Sequence, residues 1–325
     1  MKRDMVLAYV AFGIVCFVWG TTYLGIAIAI ETLPTFLFAG SRFALGGAIL
    51  LALALMRGHK LPVRRQDWLN LAVIGVLMVG IGNIAVVWAE HHMSSGFAAL
   101  LVATSPLWMA TLESFRSTGE RVNVRKALGM LIGFAGVGVL VAPELEIGDL
   151  NIHLVLGVIA LQLGSIAWNI GSIRSKYHLS RELSPLVSAA LQMLFGGVIV
   201  GAIGLALGES SSFRFSTRSL IAYLYLLIFG SVIAYGAYVY ALSKLRTSTT
   251  SLYAYINPLV AVFLGWLVLR EPLGWNAVLA MIVIFSGVAL VQTGQKRLVP
   301  APQVTTAVIK PVDPESSPAR LSSRV

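Results

Sequence analysis

Few residues in this sequence could do chemistry, and those few are scattered through apolar runs. Arg42 lies about eight residues into one such run, where an arginine costs about 2.5–3.5 kcal/mol on insertion scales and calls for an anionic partner or water. Its candidate partners are Glu90 and the carboxylate of a substrate; capping of backbone carbonyls and stabilisation of the fold are the alternatives. Glu90 and Glu113 are the candidate proton-coupling carboxylates, since partial burial raises a carboxyl pKa towards the working range. Glu90, close to the end of its run, is also explained as a solvated charge. His91-His92 follow it directly, but adjacent helical side chains point about 100° apart, and no further His or Cys is placed to complete a metal site. The pair therefore reads as an outer-surface feature, and no metal is expected.

Catalytic machinery is sparse as well. The five histidines fall in loops and at run ends, and no Gly-x-x-x-x-Gly-Lys loop is present. The single Cys16 allows no intramolecular disulfide. Neither an enzyme nor a bound cofactor is expected, and an intramembrane enzyme acting on a lipid-linked substrate stands only as the alternative to transport.

Membrane helices must position these residues. The 325 residues are 57% hydrophobic and 12% charged, with a mean hydropathy of +0.83. A soluble domain runs at about 45–50% and about 25%, so a soluble enzyme, a disordered protein and an ordinary nucleic-acid-binding protein are excluded. Apolar runs suited to crossing a bilayer fall near 6–30, 36–56, 68–89, 95–115, 125–141, 153–173, 185–207, 220–242, 247–269 and 275–292. They are continuously apolar, not alternating, which predicts helices and not a barrel. The first run is longer than a signal-peptide core and reads as a retained span.

Alternate connections collect seventeen Lys and Arg on one side against three on the other. That asymmetry puts both termini in the cytoplasm, and the net charge of +10 then faces the anionic inner leaflet rather than a nucleic acid. After Gln295 the sequence turns to Pro, Ser and scattered charge, which predicts a disordered cytoplasmic tail over 295–325.

The two halves repeat with an offset near 151. Glu120, Leu128, Met130, Phe134, Gly136 and Val137 match Glu271, Leu279, Met281, Phe285, Gly287 and Val288. Ser105-Pro106 falls opposite Asn257-Pro258, and Trp19 roughly opposite Trp168. Five spans per copy is an odd number, so the second copy enters from the opposite side. The expected fold is an all-α integral membrane protein, ten transmembrane helices as two inverted five-helix repeats, over 1–145 and 146–294. Secondary transporters use such repeats to build two oppositely facing states.

Several short motifs carry a resemblance to a known family: Trp19-Gly20-Thr21-Thr22, Ser105-Pro106-Leu107 with Gly119-Glu120-Arg121, and Asn257-Pro258-Leu259 through Arg270-Glu271-Pro272. Over roughly residues 7 to 292 the chain resembles the drug/metabolite transporter superfamily, in its ten-span EamA-type branch. The resemblance implies an inner-membrane exporter or exchanger of small metabolites, amino acids or amphipathic compounds. Glu113 departs from the family pattern.

Residues expected to line a substrate path are Trp19, Thr22, Tyr23, Arg42, Asn83, Ser105, Gln162, Trp168, Asn169, Gln192, Tyr235, Tyr238, Tyr253 and Asn257. Polar side chains within spans should face the interior: Gln162, Ser165, Asn169 and Ser172 form one helical stripe, and Ser184, Ser188 and Gln192 another. Hydrogen bonding between helices explains such stripes equally well. The aromatic faces suit an amphipathic or amine-bearing substrate, and packing is their other explanation. Pro106 and Pro258, near the middle of spans four and nine, are expected helix kinks that free backbone carbonyls. Spans five and ten have almost no interior polar residues and are given a peripheral or dimerisation role, with monomer and homodimer both open. The pairs Gly129/Gly133, Gly197/Gly201 and Gly204/Gly208 permit close helix packing, though such pairs arise easily by chance among 31 glycines.

Overall fold

The computed structural model describes residues 2–116, 123–145, 152–180, 182–272 and 274–293. Among them ten helical segments are long and apolar enough to cross a membrane: Arg3–Ala29, Thr35–Met56, Arg65–Ala89, Ser95–Ser114, Val124–Ala142, Ile152–Tyr177, Pro185–Ala206, Thr217–Lys244, Thr247–Leu269 and Trp275–Thr293, here spans one to ten. They end within four residues of the expected runs. The Gly119-Glu120-Arg121 motif, the start of the second repeat at 146 and the tail over 295–325 lie outside the described residues.

Local chemistry sets several ends. Ser94 accepts from the Phe97 amide at the start of span four, and Ser216 with Ser219 forms a capping box on span eight, each meeting amides that a helix start leaves open. Pro185 occupies the first turn of span seven, where its missing N–H costs nothing. Arg270, with φ +56°, takes the left-handed region that ends span nine.

Spans two and seven lie along each other, as do spans five and ten. Both seams are built on glycine. A Cβ on Gly40 would stand 2.3 Å from the Gly201 nitrogen, and one on Gly287 2.3 Å from the Gly133 nitrogen. Of the two readings of the Gly-x-x-x-Gly pairs, close packing holds for Gly129/Gly133 and Gly197/Gly201, which let backbones approach in a medium that offers no hydrophobic drive. The third pair is different, since Gly208 forms a left-handed turn at φ +77°.

The remaining contacts follow the repeat. Span one packs on spans eight and nine, and span six on spans three and four; span two meets span eight, and span seven meets span three. Each contact has its counterpart five spans further on.

Four spans depart from uniform α-helix: spans three, four and eight as follows, and span nine, which breaks at Ser251–Leu252 and ends in a π-helical stretch, Gly265–Leu269. Span four breaks at Ala103–Thr104 into Ser95–Val102 and Ser105–Ser114. Pro106 thus opens a new helix instead of kinking a continuous one. Pro258 does lie inside a helix, Tyr253–Leu264. Spans three and eight each contain a wide π-helical stretch, Val76–Asn83 and Leu226–Tyr235, at equivalent repeat positions. No residue type marks such a stretch, so neither is legible in the sequence; wide turns of this kind frequently accompany functional sites.

Candidate functional site

A cavity of about 90 Å³ sits where spans one, two, three, four, six, eight and nine converge. Spans five, seven and ten contribute nothing to it. Of the residues expected along a substrate path, Trp19, Thr22, Tyr23, Arg42, Asn83, Ser105, Trp168, Tyr235, Tyr253 and Asn257 line it. Gln162, Asn169, Gln192 and Tyr238 stand one layer back.

Aromatic rings form one wall. Trp19 and Trp168 meet edge to face with centroids 5.3 Å apart, Trp19 lies 5.0 Å from both Tyr238 and Tyr253, and Trp168 lies 6.0 Å from Tyr235. The indole of Trp19 donates to Gly230 O at 3.1 Å and that of Trp168 to the Tyr238 hydroxyl at 3.3 Å. These bonds fix the rings, and such pairs gain about 0.5–1.5 kcal/mol beyond the area they bury. The wide turn of span three brings Gly82 beneath Trp168, where a Cβ would come within 3.1 Å of the ring. Gly82, Gly164 and Gly230 are lining residues that sequence reasoning missed. Gly82 faces Trp168, Gly230 accepts from Trp19 and Gly164 packs on Ala85 and Gly82, and these are tertiary facts.

Arg42 forms the opposite wall. It is 2% exposed and is the sole charged side chain among the lining residues. Its Nη2 donates to Asn83 Oδ1 at 2.9 Å, while its Nε has no partner among the described residues. The guanidinium stacks on Phe43 at 4.4 Å and Phe38 at 5.2 Å, which holds its plane. The Arg42–Glu90 ion pair expected as one alternative is not formed. Asn83, seven residues before Glu90 and so about two turns along span three, takes the guanidinium instead. Glu90 itself is 7% exposed, so it is not the solvated charge of the other expectation.

The polar stripes turn towards neighbouring helices. Gln162 accepts from Thr104 at 3.0 Å and Trp108 at 2.8 Å. Asn169 donates to Ser105 Oγ at 2.8 Å and Ser165 O at 2.8 Å. Both tie span six to span four. Across the repeat, Asn257 meets two acceptors, Cys16 O at 2.8 Å and Tyr253 O at 3.1 Å, which assigns its amide the orientation that turns the nitrogen to them and ties span nine to span one. Gln192 accepts from the Tyr235 hydroxyl at 3.1 Å and donates to Ser188 at 2.8 Å, so it supports the cavity through tyrosine.

Polar contacts close both ends. At one, Glu113 accepts from Arg116 at 3.0 Å and Thr247 at 2.9 Å, Arg116 stacks on Tyr177 at 3.5 Å, and Lys176 donates to Leu242 O at 2.7 Å. At the other, Glu271 accepts from Ser95 N at 2.9 Å, Ser95 Oγ at 2.7 Å and Gly96 N at 3.2 Å. Beside it, His91 pairs with Thr35 at 3.0 Å, and His92 stacks on His153 at 5.0 Å. Glu113 is thus engaged in an end contact, away from the cavity lining.

Comparison with known proteins agrees with this architecture. Residues 6–142 and 155–293 each match the EamA-like transporter family. The inner membrane transporter YedA of Escherichia coli K12 is 38% identical over 301 residues, 92% of this chain and 94% of that protein. Protein PecM of Dickeya dadantii is 28% identical over 278 residues, 85% and 89% of the two chains. A protein of known crystal structure superposes with a TM-score of 0.66 at 21% identity, over 90% of this chain and 98% of that one; at that identity it speaks for the fold alone.

Proposed function

The chain belongs to the EamA-like transporter family, and from that premise we propose that it is a secondary transporter moving a small carboxylate-bearing metabolite outward by alternating access. Family membership makes it a multi-pass membrane transporter and not an enzyme, which removes the lipid-linked transferase alternative. The inner membrane is its location, in keeping with the Escherichia coli relative. The distribution of Lys and Arg supports cytoplasmic termini, with the anionic inner leaflet against the basic loops. Repeats over 1–145 and 146–294 in opposite orientations are the source of the two facing states. Export rests on family resemblance.

One observation carries the substrate class: a buried guanidinium lines the central cavity with an open Nε donor. A buried charge left without a counter-charge is strongly unfavourable, and a carboxylate matches the guanidinium fork. The aromatic wall opposite suits a flat or apolar remainder. At about 90 Å³ the cavity has room for about three waters, far below the roughly 300 Å³ at which ligand pockets begin. The structure is therefore a contracted form that must widen to load.

Metabolite profiling of medium and cell extract tests this, using cells that produce wild type or Arg42→Gln at matched membrane levels. An organic acid or amino acid accumulating outside with wild type alone supports the reading. Accumulation with both proteins keeps the transporter and removes Arg42 from the substrate path. A cationic or neutral compound in its place refutes the carboxylate.

A further inference from the structure

Glu90 ends span three at the Glu271 end of the cavity. It is 7% exposed, and neither carboxyl oxygen has a hydrogen-bond partner among the described residues. The titratable groups that act on it from other elements are Tyr23 of span one, Arg42 of span two and Glu271 of the loop between spans nine and ten. His91 and His92 follow on its own segment. Arg42 is already committed to Asn83, and burial, then His92, push the His91 imidazole down, so His91 brings no counter-charge at neutral pH. Glu271, by contrast, has three donors around Ser95 and Gly96 to hold its charge. Two carboxyl groups thus share one end of the cavity with opposite provision: one has three donors, while the other has no formed hydrogen bond and only the Ala27 backbone amide of span one near enough to favour its charge, the weakest of the influences on it.

A carboxyl so placed neutralises rather than remain a bare buried anion. Opening that end would admit water and remove the penalty. We propose that Glu90 is a proton-binding site linked to the gate at its end of the cavity, protonated while that end is closed and ionised when it opens.

This rests on the alternating-access reading and adds a control to it. Burial, and after it the charge of Glu271, hold the Glu90 carboxyl well above the usual carboxylate range, with Arg42 opposing. In open, hydrated surroundings it returns towards the usual carboxylate range. The closed state therefore binds the proton more tightly. Falling pH favours closure and rising pH favours opening above that range. Ionised Glu90 also stands beside ionised Glu271, and that repulsion pushes the end apart.

The test reads the gate and needs no substrate. Cys16 is the only cysteine and is replaced by Ala; Ile26→Cys then places a thiol on the cavity wall at a position 2% exposed. Its modification by a charged methanethiosulfonate is timed in nanodiscs from pH 5.5 to 8.5, with Glu90 and with Glu90→Gln. Dividing the two rates at each pH cancels the thiol's own ionisation. One linked proton changes the open fraction up to about tenfold per pH unit, so the ratio of the Glu90 to the Gln rate should rise about fivefold or more across the range. A flat ratio overturns the proposal and leaves the transporter reading standing. No modification of either protein at any pH overturns both. Where Gln does not give a monodisperse protein, Glu90→Met keeps the test, because its unbranched apolar side chain suits the buried site.

Discussion

Replacing Glu271 by Gln tests whether the loop after span nine locks the start of span four. The Glu271 carboxylate accepts from Ser95 N at 2.9 Å, Ser95 Oγ at 2.7 Å and Gly96 N at 3.2 Å. These amides open a helix, where free donors and the positive end of the dipole favour an anion. A hydrogen bond to a charged group nets about 1.5–3 kcal/mol, and the dipole adds about 0.3–1 kcal/mol at a helix end. The three bonds share one group and do not sum. Gln keeps an acceptor at one oxygen but turns an NH2 towards the Gly96 amide. Nor can it move aside freely, since a Cβ built on Gly265 would lie 2.4 Å from Glu271 Oε2.

The expected loss is about 2–3 kcal/mol, one charged bond with part of the dipole contribution. Ser95→Ala, which deletes one hydroxyl, should cost about 1–2 kcal/mol. Because the two residues touch, their double variant should show a coupling of about 1 kcal/mol or more. Reversible unfolding in mixed micelles measures all three. A Glu271→Gln loss under about 0.5 kcal/mol, or strict additivity with Ser95→Ala, would refute the lock.

Two further outcomes follow from backbone geometry. Gly40→Val puts a side chain 2.3 Å from the Gly201 nitrogen, whereas Gly13→Ala meets nothing within 4 Å; size-exclusion chromatography should show folded protein lost in the first and unchanged in the second. Arg270→Gly removes a side chain from the left-handed region at φ +56° and should raise stability by about 1 kcal/mol, seen as a higher Tm; an unchanged or lower Tm would show that the Arg270 side chain makes up for the strain.

The spans were legible because a bilayer admits few backbone solutions, and boundary residues such as Ser95 and Thr247 begin the same spans in sequence and structure. Arg42 was legible as lining because a charged group avoids lipid, and Trp19 and Trp168 because they lie at roughly matching places in the two repeats. Partnership was not. The stripe of Gln162, Ser165, Asn169 and Ser172 does share a face, yet only Ser165 reaches the cavity, while Gln162 and Asn169 hold span four. Periodicity says which side of a helix is polar, and it is silent on whether a neighbouring helix or a cavity lies there. The same limit hid Glu271, whose partner Ser95 is 176 residues away.

The repeat also explains why one structure cannot be symmetric at its centre. Trp19 and Trp168 occupy roughly corresponding places in spans one and six and meet edge to face in the cavity wall. Were both copies in the same state, each indole would bond to the opposite repeat. Instead both donate to span eight, Trp19 to Gly230 O and Trp168 to the Tyr238 hydroxyl. On the alternating-access reading this one-sidedness is required, because two oppositely facing states must break the same pseudo-symmetry in opposite senses. The break lies at the cavity wall, where rearranging two indole hydrogen bonds exchanges little energy, and not in the glycine seams of spans two with seven and five with ten, whose backbone contacts leave no room to shift.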